Sequence, residues 1–70
     1  MVNINCVPPY IFEPHRGYHH AIAMRLPNGS LLYQRVCKNY KEATKRVKVL
    51  KGWARPGYDF EIYSLNDIAR

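Results

Sequence analysis

Two strand-like runs, largely apolar and with polar residues toward their outer ends, flank Leu26-Pro27-Asn28-Gly29-Ser30, and in a strand successive side chains point to opposite faces. Pro27 suits the second position of a type I turn, Asn28 the third, and Gly29 the left-handed residue that follows. This three-residue loop sets Leu26 opposite Ser30 and so determines which side chains share a face. One face of the hairpin then carries Ile22, Met24 and Leu26 with Leu32 and Val36. The other carries His19, Ala21, Ala23 and Arg25 with Leu31, Tyr33, Arg35 and Cys37. A two-residue loop on Asn28-Gly29 would mix core and polar residues on both faces and place Pro27 where a donor is wanted.

After the hairpin the period lengthens. Asn39 is suited to cap a helix, with Glu42 three residues on to answer it. Tyr40, Ala43, Val47 and Leu50 then recur at helical spacing, and Gly52 reads as the stop. Trp53 is expected to fold back on the edge of the core. Arg55-Pro56-Gly57 is a turn, and Tyr58 to Leu65 reads as a third strand with Phe60 and Ile62 inward and Glu61 and Tyr63 outward. Asn66–Arg70 suits a short helical turn.

These elements predict an α+β domain, ββαβ, over residues 18–70, with one helix on one face of a three-stranded antiparallel sheet in the order 2-1-3. Residues 1–17 form an extended arm or short strand, because Val2, Ile4 and Cys6 alternate with Asn3 and Asn5 before Pro8, Pro9 and Pro14 interrupt regular structure. If Met1–Cys6 pairs with the hairpin, the sheet has four strands. In this plan the face opposite the helix stays uncovered unless the arm lies across it.

Size and charge narrow what such a domain does. A 70-residue chain buries only roughly 60% of the surface its unfolded form exposes, a thin frame for a dehydrated catalytic pocket. Its composition, 47% hydrophobic and 13% aromatic, is that of a folded protein. Eleven Lys and Arg stand against five acids, a net charge of +6 that favours a polyanion or an acidic protein surface as partner. No apolar run approaches the ~20 residues of a membrane span. With no leader-like segment at the start, a cytoplasmic protein is expected, with Cys6 and Cys37 as thiols, or bridged to each other if the N-terminal segment is a strand lying beside Cys37.

Two sets of residues are candidate binding groups. Lys41, Lys45 and Lys48 form a row ~10 Å long on the helix side opposite the apolar stripe, where they can track phosphates or carboxylates. The same spacing describes an ordinary solvated helix face. Arg25, Tyr33, Arg35 and Tyr63 fall on the uncovered sheet face, with Ala21 and Ala23 making room. Tyrosines beside arginines suit base stacking or a protein interface, and equally suit plain packing beneath the arm.

No catalytic constellation appears. The acids Glu13, Glu42, Asp59, Glu61 and Asp67 are scattered, and a Cys37–His19 pair would lack an orienting group and an oxyanion hole. His15, His19 and His20 with the two cysteines lack zinc-ligand spacing. No enzyme activity, metal or cofactor is expected.

With Tyr40-Lys41-Glu42-Ala43 opening the helix and Pro56-Gly57-Tyr58-Asp59-Phe60-Glu61-Ile62 leading into the last strand, the chain resembles the small accessory proteins of tailed bacteriophages. In outline, over Leu31 to Leu65, it is similar to phage inhibitors of bacterial RNA polymerase, from which it departs in having a basic helix rather than an acidic one. The resemblance implies a class: a small protein that binds and disables a host machine, with anti-defence and anti-CRISPR roles included. Two functions are therefore carried forward. One is docking onto a larger protein, such as a nucleic-acid-processing complex, to inhibit or modulate it. The other is direct binding of nucleic acid, with tyrosines on bases and lysines on phosphates. Exposed sheet edges allow a monomer or a homodimer.

Overall fold

The hairpin closes on the three-residue loop. In the computed structural model, which describes all 70 residues, the Gly29 N–H donates to the Leu26 carbonyl at 2.9 Å and the Leu26 N–H to the Ser30 carbonyl at 2.9 Å. Gly29 takes φ 87°, the left-handed conformation the loop demands. Asn28 Oδ1 accepts from both the Ser30 N–H and its hydroxyl. The flanking strands are β1 (His20–Arg25) and β2 (Leu31–Cys37).

Helix α1 (Tyr40–Trp53) starts at Asn39, whose side chain accepts from the Glu42 N–H at 2.8 Å. It runs one residue past Gly52 and ends at Ala54. The turn after it brings Pro27 Cγ within 3.5 Å of where a Cβ on Gly57 would stand, so this turn packs against the hairpin loop. Strand β3 (Asp59–Ser64) returns antiparallel beside β1, giving the order β2-β1-β3. The fold is α+β, a three-stranded antiparallel sheet with one helix on a face.

Two small cores sandwich the sheet. Beneath α1 lie Ile22, Cys37, Ala43 and Phe60, with Met24, Val47, Leu50 and Ile62 against them. On the opposite face lie Ile11, Ala21, Leu65 and Ile68, joined by Ile4, Val7, Phe12, Tyr18, Tyr33, Val36 and Tyr63. Residues 1–17 therefore cover this face. The arm is anchored by backbone bonds at both ends of the molecule. Asn5 bridges the outer edge of β2, accepting from the Tyr33 N–H and donating to the Leu31 carbonyl, while Val2 pairs with the chain end through the Asp67 carbonyl and the Ala69 N–H. Two 3-10 turns, Pro9–Phe12 and Pro14–Arg16, let the proline-rich segment drop Ile11 into the core, where it is 1% exposed.

Three expectations are corrected. From Arg25 opposite Leu31 to Ala23 opposite Tyr33 the pairing follows the predicted register, but Ile22 lies opposite Arg35, leaving Gln34 as the extra residue of a β-bulge. Because side chains alternate, one inserted residue exchanges faces beyond it: Val36 packs beneath the arm, Cys37 beneath α1, and Arg35 passes to the helix side. Tyr40 points outward at the first helical position, 59% exposed, with its ring edge-on to His20. Trp53 does not fold back either. Leu50 and Ala54 take the inward positions at the end of α1, and one residue's rotation about the axis puts the indole in solvent, 86% exposed.

Candidate functional site

Of the residues assigned to an open sheet face, three are engaged within the molecule. Arg25 donates through Nη2 to Glu61 Oε1 at 2.8 Å and through Nε to the other carboxylate oxygen, and its Nη1 reaches the Gly29 carbonyl at 2.9 Å. The Tyr63 hydroxyl donates to the same carboxylate. This bidentate, charge-assisted pair holds the Glu61 carboxyl down at about 2, first through the Arg25 hydrogen bonds and then through Tyr63, and raises the already high pKa of Arg25. Burial, with the Glu61 charge adding to it, pushes the Tyr63 hydroxyl up.

Tyr33 is half-buried beneath the arm. Burial is the main reason its hydroxyl is pushed up to about 12, with the neighbouring Tyr10 and Tyr18 acting in the same direction. Arg35 has left this group for the other side of the sheet. Arg25, Tyr33, Arg35 and Tyr63 thus do not form one exposed platform.

Charge is instead concentrated around α1. Of the eleven cationic side chains, Arg16, Arg25 and Lys51 are ion-paired, with Glu13, Glu61 and Asp59 respectively. Arg70 lies over the Phe12 ring. The other seven, Arg35, Lys38, Lys41, Lys45, Arg46, Lys48 and Arg55, have no carboxylate within ion-pair distance and sit on α1 or beside it. The lysine row Lys41, Lys45 and Lys48 is exposed along its length. Arg35 and Arg46 converge near Cys37: burial pushes that thiol up, Glu42 adds to the effect, and the two guanidiniums oppose it. The bulge at Gln34 is what brings Arg35 into this cluster.

An apolar group that the sequence reading did not single out lies within this charge. Val49, 53% exposed, and Trp53 stand four residues apart on the flank of α1 between the lysine row and the sheet. Below Trp53 opens a groove of about 330 Å³, lined by Met24, Leu50, Ala54 and Phe60 with Arg55 and Tyr58 at its rim. The available signal was the pair Val49/Trp53, offset from the Ala43/Val47/Leu50 stripe and therefore unable to point into the same core.

Both cysteines are free thiols, Cys6 exposed and Cys37 buried. His20 is opposite Cys37 across the β1–β2 ladder, and its Nδ1 is buried without a hydrogen-bond partner. No cluster of three or more His, Cys, Asp or Glu side chains is positioned to hold a metal ion. No helix is long and apolar enough to cross a membrane. No family model, curated protein or solved structure matches the chain.

Proposed function

We propose that this protein is a non-enzymatic binding module that docks through the outer face of α1 onto an acidic surface of a larger protein and thereby inhibits or modulates it. The observation that carries the reading is the coincidence of a largely exposed Trp53 with seven unpaired cations around one helix. A bare indole costs solubility, and tryptophan and arginine are the residues that most often anchor protein interfaces. The surrounding cations would steer an acidic partner into place and set orientation more than affinity. The likeness to phage accessory proteins makes host or defence complexes that process nucleic acid the natural partners to try.

Direct binding of nucleic acid is the alternative. Its stacking platform is weakened because Tyr33 lies under the arm and Arg25 is committed to Glu61. Affinity capture with the wild-type chain and a Lys45→Glu/Lys48→Glu variant tests the proposal, alongside gel shifts with single- and double-stranded oligonucleotides. A partner protein that is lost on charge reversal, with no oligonucleotide shift at low salt, supports docking. Oligonucleotide binding that weakens steeply with salt replaces docking with the nucleic-acid reading.

A further inference from the structure

We propose that the groove beneath Trp53 is an anchor pocket for one bulky apolar side chain presented on an acidic segment of the partner. The inference rests on the docking reading above and adds what is recognised.

The groove has the two properties such an anchor needs. Its floor and walls are apolar, made by Met24 from β1, Leu50 and Ala54 from α1, and Phe60 from β3. Three separate elements of the sheet-helix core supply these side chains, so the walls are set by the fold rather than by a mobile loop. Its volume of about 330 Å³ is at the lower end of the ~300–1,000 Å³ typical of ligand sites, which suits a single large side chain better than a cofactor. Trp53 forms one lip and can close over an inserted group, removing the indole from water at the same time.

Charge selects the occupant. Arg55 is on the rim, and Lys45 and Arg46 line the neighbouring helix flank with Glu42, while Asp59, the acid beside the groove, is engaged by Lys51. A second copy of the chain would bring these cations against their own counterparts, a like-charge contact that is disfavoured. An anionic membrane would satisfy the charge but not the shape, because on this flank only Trp53 and Val49 project, while Met24, Leu50, Ala54 and Phe60 are recessed in the groove. A segment with an apolar residue flanked by Asp and Glu satisfies both: the apolar group fills the groove and the carboxylates meet Arg55 at its rim and Lys45 and Arg46 along the helix.

Trp53 is the chain's one tryptophan, so its emission reports on the groove directly. The probes are short synthetic acidic peptides with Leu, Ile, Met, Phe or Ala at the centre. Trp53 emission should shift to the blue with at least one bulky-centred peptide. The Ala-centred peptide should bind about tenfold to a hundredfold more weakly. Trp53→Ala should weaken binding of the same labelled peptide, followed by anisotropy, by a comparable factor without lowering the urea midpoint. Equal binding of Ala-centred and bulky-centred peptides overturns the anchor, as does failure of every acidic peptide. Docking itself still stands if Lys45→Glu/Lys48→Glu abolishes capture of the partner protein. A blue shift with phosphatidylserine vesicles or oligonucleotides but not with peptides overturns both readings.

Discussion

Arg25 on β1 holds Glu61 on β3 diagonally across the ladder, since Glu61 is paired in register with Ala23 and Arg25 with Asp59. The arginine that the hairpin pattern turns away from the helix therefore spends its charge inside the molecule. It ties the hairpin loop to the last strand through its third bond, to the Gly29 carbonyl. What remains for a partner is on the other side, around α1.

That pair makes stability sensitive to acid. The Glu61 carboxyl falls from its ordinary 4.5 to about 2 in the folded chain, and Asp59 is lowered too, first by the Phe60 N–H and then by Lys51. A carboxyl with a depressed folded-state pKa binds its proton more readily when unfolded. The stabilisation is thus complete above about 4.5 and is lost as pH falls toward 2. Urea midpoints measured across this range should decline with acid, and Glu61→Gln should flatten the decline.

On the alkaline side the sign is opposite in pH. Tyr33 has its folded-state pKa raised from 10.0 to about 12, so the unfolded chain ionises first and stability is lost as pH rises between those values. Near-ultraviolet absorbance should show Tyr33 and Tyr63 titrating late, with Tyr33→Phe removing one of the two late contributions.

The arm should behave as core. Ile11→Ala deletes a side chain that is 1% exposed and should cost about 2–5 kcal/mol, a large share of the ~4–10 kcal/mol expected for a chain of this length. Trp53→Ala, at the surface, should change stability by no more than about 0.5 kcal/mol. Chemical denaturation of the two variants side by side checks both. Equal effects would mean that the arm is not packed as described.

Removal of the helix cap has a smaller, local effect. Asn39→Ala leaves the Glu42 N–H without its side-chain acceptor and should cost about 1 kcal/mol, whereas Asn39→Asp should retain most of the stability. Thermal unfolding followed by circular dichroism distinguishes the two.

Thiol chemistry gives an independent check on the two cores. Cys6 is exposed and should be alkylated at once in native buffer. Cys37, 1% exposed and with its thiol pushed up by burial, should react only as fast as the protein opens. Mass spectrometry over time would show one rapid and one slow addition.

The parts of this structure legible in the amino-acid order are those enforced within a few residues. Pro27-Asn28-Gly29 closes the hairpin, Asn39 starts α1, and Phe60 and Ile62 alternate with Glu61 and Tyr63 along β3. The lysine row was legible for the same reason, because helical spacing alone places Lys41, Lys45 and Lys48 together. The bulge was not: Leu32-Tyr33-Gln34-Arg35-Val36 contains no Gly or Pro to mark one. The extra residue lets Val36 reach the arm's core and Cys37 reach Ala43, and both destinations depend on distant chain. Trp53 was misplaced because a large aromatic near a helix end reads as core until Leu50 and Ala54 are seen to occupy the inward positions.

Short-range chemistry in the chain thus settled which elements form, their order, and the excess of positive charge carried by the helix. Tertiary packing decided what each surface offers. The arm, joined to residues more than sixty positions away, closed the tyrosine face. One inserted residue in β2 carried Arg35 across the sheet, and the end of α1 left Trp53 in water above an apolar groove. A side chain's neighbours along the chain set its conformation, but whether it meets solvent or another side chain depends on segments that only the folded chain brings together.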